Sequence, residues 1–399
     1  MPIQVFPTPS AGASYSSQPP ASASSVLLDG QLVTASSIST TVTGTGAPWL
    51  LYANGAGTTT ITIAGTAYTV TAGSTVGTSA YTGSQSVSVA GPNPTGTPTS
   101  FTASTMSSSA AWNSVVYGMG YYVAVNGSGS GAYSTNGSTW TASTMPGSGL
   151  AWYCTAYGNG YFVAAAQGTS TGAYSTNGTT WTASTMPGSS LSWNGMCFGN
   201  GYYVAVAYGS STGAYSTNGT TWSSSTMPSG SWTSVTYGNG YYVAVAPSGV
   251  GASSTNGTTW TARTMSGSGL FWNGVAYGLI GATNYYVAVQ ESGTNEASYS
   301  TNGTTWTAST MPSVGTWSSI AFGNGYFVAT NYGSTASAYS SNGITWTANT
   351  MPSSATWGAI TYGNGKFVVT ALSGSSGAYY SFTSLPVAYG IYNGATVRA

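Results

Sequence analysis

Charge is almost missing from this chain. Of 399 residues only three are basic and three acidic, 2% in all, and histidine is absent; ordinary soluble domains carry about 25% charged residues. The six are Asp29, Arg263, Glu291, Glu296, Lys366 and Arg398. A net charge of zero with no basic patch removes the electrostatic term on which nucleic-acid binding and attraction to anionic membranes depend. Neither partner is expected. Without histidine there is no imidazole-ligated metal site and no nucleophile–histidine triad, so no cofactor is expected either. No stretch reaches about eighteen apolar residues, and the opening MPIQVFPTPSAG has neither the basic nor the apolar part of a signal peptide. Cysteine is scarce as well. Cys154 and Cys197 stand two and four residues after tryptophans of consecutive repeats, non-equivalent positions that suit two small buried thiols better than a disulfide.

Aromatics, in contrast, make up 14% of the chain and recur with strict spacing, which excludes disorder for residues 101–380. Seven tryptophans, Trp112, Trp152, Trp193, Trp232, Trp272, Trp317 and Trp357, are separated by 40, 41, 39, 40, 45 and 40 residues. A second series ends the phrase STNGTTW or a close variant at Trp140, Trp181, Trp222, Trp260, Trp306 and Trp346. Periods of about forty residues belong to solenoids and propellers, whose units bury their apolar faces only against neighbours.

Within the unit from Trp232, short Val-, Tyr-, Thr- and Trp-rich segments alternate with Asn-Gly and Gly-Ser clusters. They read as four antiparallel strands: A (WTSVTY), B (YYVAVA), C (GAYST in most copies) and D (TWTAST). Asn-Gly between A and B supplies the positive φ pair of a two-residue hairpin turn. Seven such units predict an all-β fold, a seven-bladed β-propeller of four-stranded blades preceded by a small N-terminal β domain. The last unit has A, B and C but no second Trp motif. The early FTASTM of residues 101–106 copies the D segment and is expected to close the ring, with the FTSLP of residues 382–386 as its rival. Both tryptophan series and the TMP methionines read as wedges between blades.

The repeated STNGTTW resembles the Asp-box, Ser-x-Asp-x-Gly-x-Thr-Trp, of sialidase-like, sortilin-like and phage propellers, and the wider repeat resembles propeller modules of phage fibre proteins. In that family the box is a structural hairpin remote from the active site. Here Asn136, Asn177, Asn218, Asn256, Asn302 and Asn342 stand where aspartate is expected. The arginine triad and nucleophile pair that the resemblance would imply for a sialidase have no counterpart: residues 101–380 hold one arginine and two glutamates. Glycoside hydrolysis needs two carboxyls flanking the scissile bond. Glu291 and Glu296, five residues apart in QESGTNEASY, read as solvated loop charges or, less favourably, a weak calcium site. No enzymatic activity is expected.

In a propeller the A–B and C–D turns share one face and the B–C and D–A connections the other. The first set is nearly constant here; the second varies, from NGSGSG to QESGTNE. Variation marks the face free to specialise. Its candidate ligand-binding residues are Asn113, Tyr153, Asn194, Asn273, Gln167, Tyr208, Gln290 and Tyr332, uncharged amides and phenols that suit a neutral saccharide.

Residues 1–24, rich in Pro, Ser and Ala, read as a flexible or docking arm. Residues 25–90 read as a small all-β attachment domain, 91–100 as a linker, 101–386 as the propeller and 387–399 as a C-terminal tail. An attachment end followed by a presentation end suggests a phage-type virion fibre or spike on the particle surface. It would bind a neutral host-surface glycan, contact other virion proteins through its N-terminal region and form a homo-oligomer. The alternative is a purely structural capsid or tail decoration, or head-fibre protein, without a ligand.

Overall fold

A computed structural model describes residues 97, 98 and 100–382 in full. It describes the strands 4–5, 25–28, 31–34, 37–54, 58–63, 66–71, 75–90 and 388–393 by their backbone. The chain divides into two compact units, Met1–Thr97 with Phe382–Ala399, and Pro98–Ser381. The expected arm and linker lie, except for residues 4–5, 97, 98 and 100, outside the described residues.

The first unit contains one eight-stranded sheet. Its order is Gln4–Val5, Gln31–Thr34, Ser25–Leu28, Ala388–Asn393, Ser37–Asn54, Thr75–Ala90, Thr58–Ile63 and Thr66–Thr71. Ala388–Asn393, from the segment expected as a tail, runs parallel to Ser25–Leu28 and antiparallel to Ser37–Asn54. This sheet therefore joins both ends of the chain rather than simply preceding the propeller.

The second unit is a β-propeller. Its sheets number six, so the seven separate four-stranded blades expected from the repeats are corrected to six blades. Five are four-stranded and follow the repeats beginning at Trp112, Trp152, Trp193, Trp232 and Trp272. The sixth and seventh repeats form one six-stranded closing blade, in the order Trp317–Gly323, Tyr326–Ser340, Thr347–Gly363, Lys366–Ala371, Ser376–Ser381 and Thr102–Thr105. The fusion has a local cause. In the sixth repeat the B–C loop stays extended and pairs with the following D–A connector, Tyr332 with Thr356 and Ser334 with Ala355, across two irregularities in register. The Ser354 hydroxyl donates to the Gly333 carbonyl across the same join, at 3.2 Å. Strands B and C thus become one strand, as do D and the next A.

Closure follows the sequence match. Thr102–Thr105 pairs antiparallel with Ser376–Ser381, Ala103 opposite Ala378, so N-terminal and C-terminal strands complete the closing blade. Asn-Gly turns behave as composition demands: Asn239 and Gly240 have φ of 41° and 82°, the paired positive values of a type I′ hairpin.

The core lies between blades. All seven strand-A tryptophans have 0% exposure, and the TMP methionines are buried beside them. Met227 and Trp232, for example, pack with Val204 and Val206 of one blade and Tyr242 and Ala244 of the next. The box tryptophans are buried at Trp140, Trp222, Trp260 and Trp306 and half-buried at Trp181 and Trp346.

Each STNGTTW loop is held by its asparagine. In the third repeat, Asn218 Oδ1 accepts from the backbone N–H groups of Thr220 (3.0 Å) and Thr221 (2.9 Å) and from the Ser216 hydroxyl (3.1 Å). The Gly219 N–H donates back to Ser216 Oγ at 2.8 Å. One acceptor serving two backbone donors is the role of a capping side chain. Asn218→Ala is expected to cost about 1–2 kcal/mol, read as a lowered midpoint in urea denaturation; no change would mean that water satisfies those donors equally well.

Candidate functional site

Strand A of six repeats carries a β-bulge immediately after its tryptophan. The register shifts between Trp152 and Cys154, Trp193 and Gly195, Trp272 and Gly274, Trp317 and Ser319, and Trp357 and Ala359. In the first repeat Asn113 is passed over in the same way. A bulge leaves one residue outside the ladder and re-aims its side chain. The tryptophan can thereby stay buried while the next residue turns to the axis.

There the strand-A ends from all seven repeats enclose a cavity of about 510 Å³. It lies at the end where strands A begin, the face of the variable loops. Six of the eight predicted residues line it: Asn113, Tyr153, Gln167, Asn194, Tyr208 and Asn273. Gln290 does not. It sits opposite Trp272 in the ladder, fully buried. Its Nε2 donates to Thr294 Oγ1 (2.7 Å) and the Thr294 carbonyl (3.1 Å), and its Oε1 accepts from the Ser292 N–H. Strand side chains alternate between faces, so the neighbour of Gln290, Glu291, takes the position that Gln167 and Tyr208 hold in their repeats. Tyr332 has that repeat position but belongs to the fused strand, where it is 44% exposed and away from the cavity.

The residues after the strand-A tryptophans also tie repeat to repeat. Asn113 Nδ2 donates to the Trp152 carbonyl at 2.9 Å, Thr233 Oγ1 to that of Trp272 at 2.7 Å and Ser318 Oγ to that of Trp357 at 2.6 Å. Gly358 has no side chain to do this, and Thr370 Oγ1 reaches the Trp112 carbonyl instead, at 3.2 Å. Thr233 and Ser318 were not anticipated, although their position directly after Trp was the available signal. Tyr153 and Asn194 make no such tie among the described residues. Gln167 Nε2 stands 3.5 Å from Asn194 Oδ1, and Tyr153 is half-buried in the wall.

Glu291 is the main correction to the loop-charge reading. It is half-buried in the cavity wall, its Oε1 accepts from Asn273 Nδ2 at 2.7 Å, and its N–H is anchored on the Phe271 carbonyl at 2.9 Å. Asn273 Nδ2 donates in addition to the Ser318 carbonyl at 2.8 Å. Burial raises the Glu291 carboxyl above its ordinary range, and the Asn273 hydrogen bond only partly opposes this. Burial likewise raises the Tyr153 phenol, with the Glu291 charge and then Cys154 adding to the shift. Glu296, in contrast, is exposed and accepts from Thr294 Oγ1 at 3.0 Å. Among the described residues no three His, Cys, Asp or Glu side chains come together as a metal would require. Among the described residues no helix is long and apolar enough to cross a membrane.

A carboxyl raised in the folded state binds its proton more tightly there than in the unfolded chain. Its contribution to stability is present below the unfolded carboxyl pKa and is lost as pH rises through the folded value. Glu291→Gln, which keeps an acceptor for Asn273, is expected to raise the melting temperature at pH 7 and to lose that advantage as pH falls below about 4. A pH-independent difference would remove the linkage.

Both cysteines are free. Burial pushes the Cys154 thiol up to about 12 and the Cys197 thiol higher than usual too. Because the thiolate is the reactive form, neither should be alkylated by iodoacetamide at pH 8 in the folded protein, while both should react in guanidinium. Rapid labelling of the native protein would contradict the burial of Cys154 and the raised thiol of half-buried Cys197.

No family model matches the chain, and no curated protein matches it. Solved structures do. A streptogramin B lyase structure aligns at TM-score 0.63 and 13% identity, over 70% of this chain and 96% of the other. A catalytically inactive histidine variant of virginiamycin B lyase from Staphylococcus aureus, with quinupristin, aligns at 0.61 and 13%, over 70% and 99%. YCF48 bound to D1 peptide aligns at 0.57 and 13%, over 72% and 99%. At such identity the likeness establishes the β-propeller fold alone, a fold this chain has in common with virginiamycin B lyase and YCF48 propellers.

Proposed function

We propose that this chain is a non-catalytic fibre or spike subunit of a phage-type virion, binding a neutral host-surface glycan through the variable-loop face of its propeller. The observation that carries the reading is the composition of the axial cavity. Amides of Asn113, Gln167 and Asn194 and phenols of Tyr153 and Tyr208 converge on one concave surface with no basic side chain. Sugar hydroxyls are recognised by such groups, through hydrogen bonds to amides and stacking on aromatic faces. The same inventory argues against catalysis. One carboxylate lines the cavity where glycoside hydrolysis needs a pair, and the chain lacks the histidine that the inactive lyase variant replaces. The N-terminal region would contact other virion proteins, and a homo-oligomer would place several cavities on one particle.

A glycan array probed with the full chain at low and high ionic strength tests this. Expected are hits among glycans without acidic groups, little changed by salt. Binding confined to polyanions, or abolished by salt, would refute the proposed recognition. An array without hits would favour the purely structural decoration or head-fibre reading.

A further inference from the structure

Glu291 is the one charged side chain among those lining the axial cavity. The described cations are engaged elsewhere: Arg263 Nε donates to Ser253 Oγ at 2.8 Å, and Lys366 Nζ donates to the Asn136 carbonyl at 2.8 Å and lies over the Tyr379 ring. The carboxylate therefore has no counter-ion among the described residues, in a chain that otherwise dispenses with charge. Placing an unpaired carboxylate in a half-enclosed site costs stability, and an uncharged residue would suffice for the tie to Asn273. The equivalent positions, Gln167, Tyr208 and Leu372, are uncharged and line the same cavity. A residue that costs stability and forms no indispensable contact is of the kind retained for binding.

Its surroundings are organised. Asn273 Nδ2, held on the Ser318 carbonyl, fixes Glu291 Oε1. Glu291 Oε2 has no protein partner among the described residues. Phe271 and Tyr153 line the same cavity, and aromatic rings with a carboxylate form an environment in which an ammonium group is held by charge and by ring quadrupole together. The amides and hydroxyls around the rest of the cavity remain suited to sugar hydroxyls.

We infer that the cavity takes a sugar bearing one free ammonium group, an unacylated hexosamine, with the ammonium on Glu291 Oε2 and the ring hydroxyls on the opposite amides. This rests on the glycan-binding reading of the cavity and goes beyond it in giving the sugar one positive charge. No bond is made or broken. Asn273 is a positioning residue, since it acts through Glu291.

The test is a set of NMR titrations of the full chain at pH 6.5 with glucosamine, N-acetylglucosamine, glucose and ethanolamine, repeated on Glu291→Gln. Glucosamine is expected to bind about tenfold more tightly than the two neutral sugars, as a charge-assisted hydrogen bond predicts, and Glu291→Gln is expected to erase the difference. Ethanolamine alone should bind weakly. Neutral sugars bound as tightly as glucosamine, or a preference surviving in Glu291→Gln, would overturn the inference and leave the glycan reading standing. Ethanolamine bound as tightly as glucosamine, with neither neutral sugar bound, would uphold the ammonium site and remove the sugar. Binding of none of the four would overturn both. A Tyr208→Ala variant, changed at the rim where the ring is 41% exposed, keeps the charge and should weaken all three sugars together, which a site of charge alone would not do.

Discussion

Replacing Gly199 by alanine is expected to destabilise the propeller by about 3 kcal/mol, measured as a lowered midpoint in urea. A Cβ at Gly199 would lie 2.0 Å from Tyr237 Cγ and 2.2 Å from its Cδ1, far inside any permitted carbon–carbon approach. The Tyr237 ring cannot withdraw freely. It packs on Tyr242 at 4.7 Å between ring centroids, and the Tyr242 hydroxyl donates to the Gly199 carbonyl. The motif closes around the axis: Tyr157 meets Gly118, Phe198 meets Gly158, Tyr277 meets Gly238, Phe322 meets Gly278, Tyr362 meets Gly323 and Tyr117 meets Gly363. One added methyl must therefore displace a ring wedged between repeats. Gly240→Ala, two residues from Tyr242 in the same hairpin, provides the control. Its Cβ would meet nothing within 4 Å, so its cost is conformational, about 1 kcal/mol for an L residue at positive φ. Equal losses at the two positions would show that the blades separate easily and that the ring of aromatics is not a rigid seam.

The second large effect is expected at the closing strand. Exchanging residues 101–106 for a Gly-Ser segment of equal length should cost about 5 kcal/mol or more. Phe101 and Met106 are both buried, and losses of 2–5 kcal/mol are usual when a buried side chain of that size is removed. Four paired positions from Ser376↔Thr105 to Tyr379↔Thr102 would be weakened with them. The Met106 N–H, bonded to the Ser375 carbonyl at 2.9 Å, adds a further anchor along the same segment. An exposed strand edge should also promote association, so the variant should show both a lowered melting temperature and concentration-dependent light scattering. A variant as stable as the parent would mean that the segment is an appendage and that another segment completes the closing blade.

Much of this fold was legible because repetition reports the same physics seven times. A tryptophan that returns every forty residues is buried each time, since no single repeat can cover it, and Asn-Gly turns declare hairpins because few other pairs accept two positive φ values. The strand that closes the ring was readable from the likeness of FTASTM to WTASTM. The number of blades was not. Seven repeats can be counted in the chain, yet whether a loop turns away or stays extended is settled by pairing between segments far apart, as where Tyr332 meets Thr356.

The candidate site divides in the same manner. Asn113, Tyr153, Asn194 and Asn273 could be placed at the strand-A ends on the variable-loop face from their position after tryptophan, and the structure adds that a bulge turns them into the axial cavity. Gln290 and Glu291 show where sequence reading stops. They are adjacent, polar and similar in size, but alternation along a strand sends one into the ladder opposite Trp272 and the other into the cavity. That register becomes visible only once the partner strand is in place.

Sequence alone thus determined the β class, the repeat, the interblade role of the tryptophans and the scarcity of charge, each being a property of local pattern or composition. Tertiary structure alone decided the six sheets, the C-terminal strand in the first unit's sheet and the lone carboxylate in the axial cavity. These depend on which distant backbone groups pair and which side of a strand faces the axis, and neither is encoded at any single position.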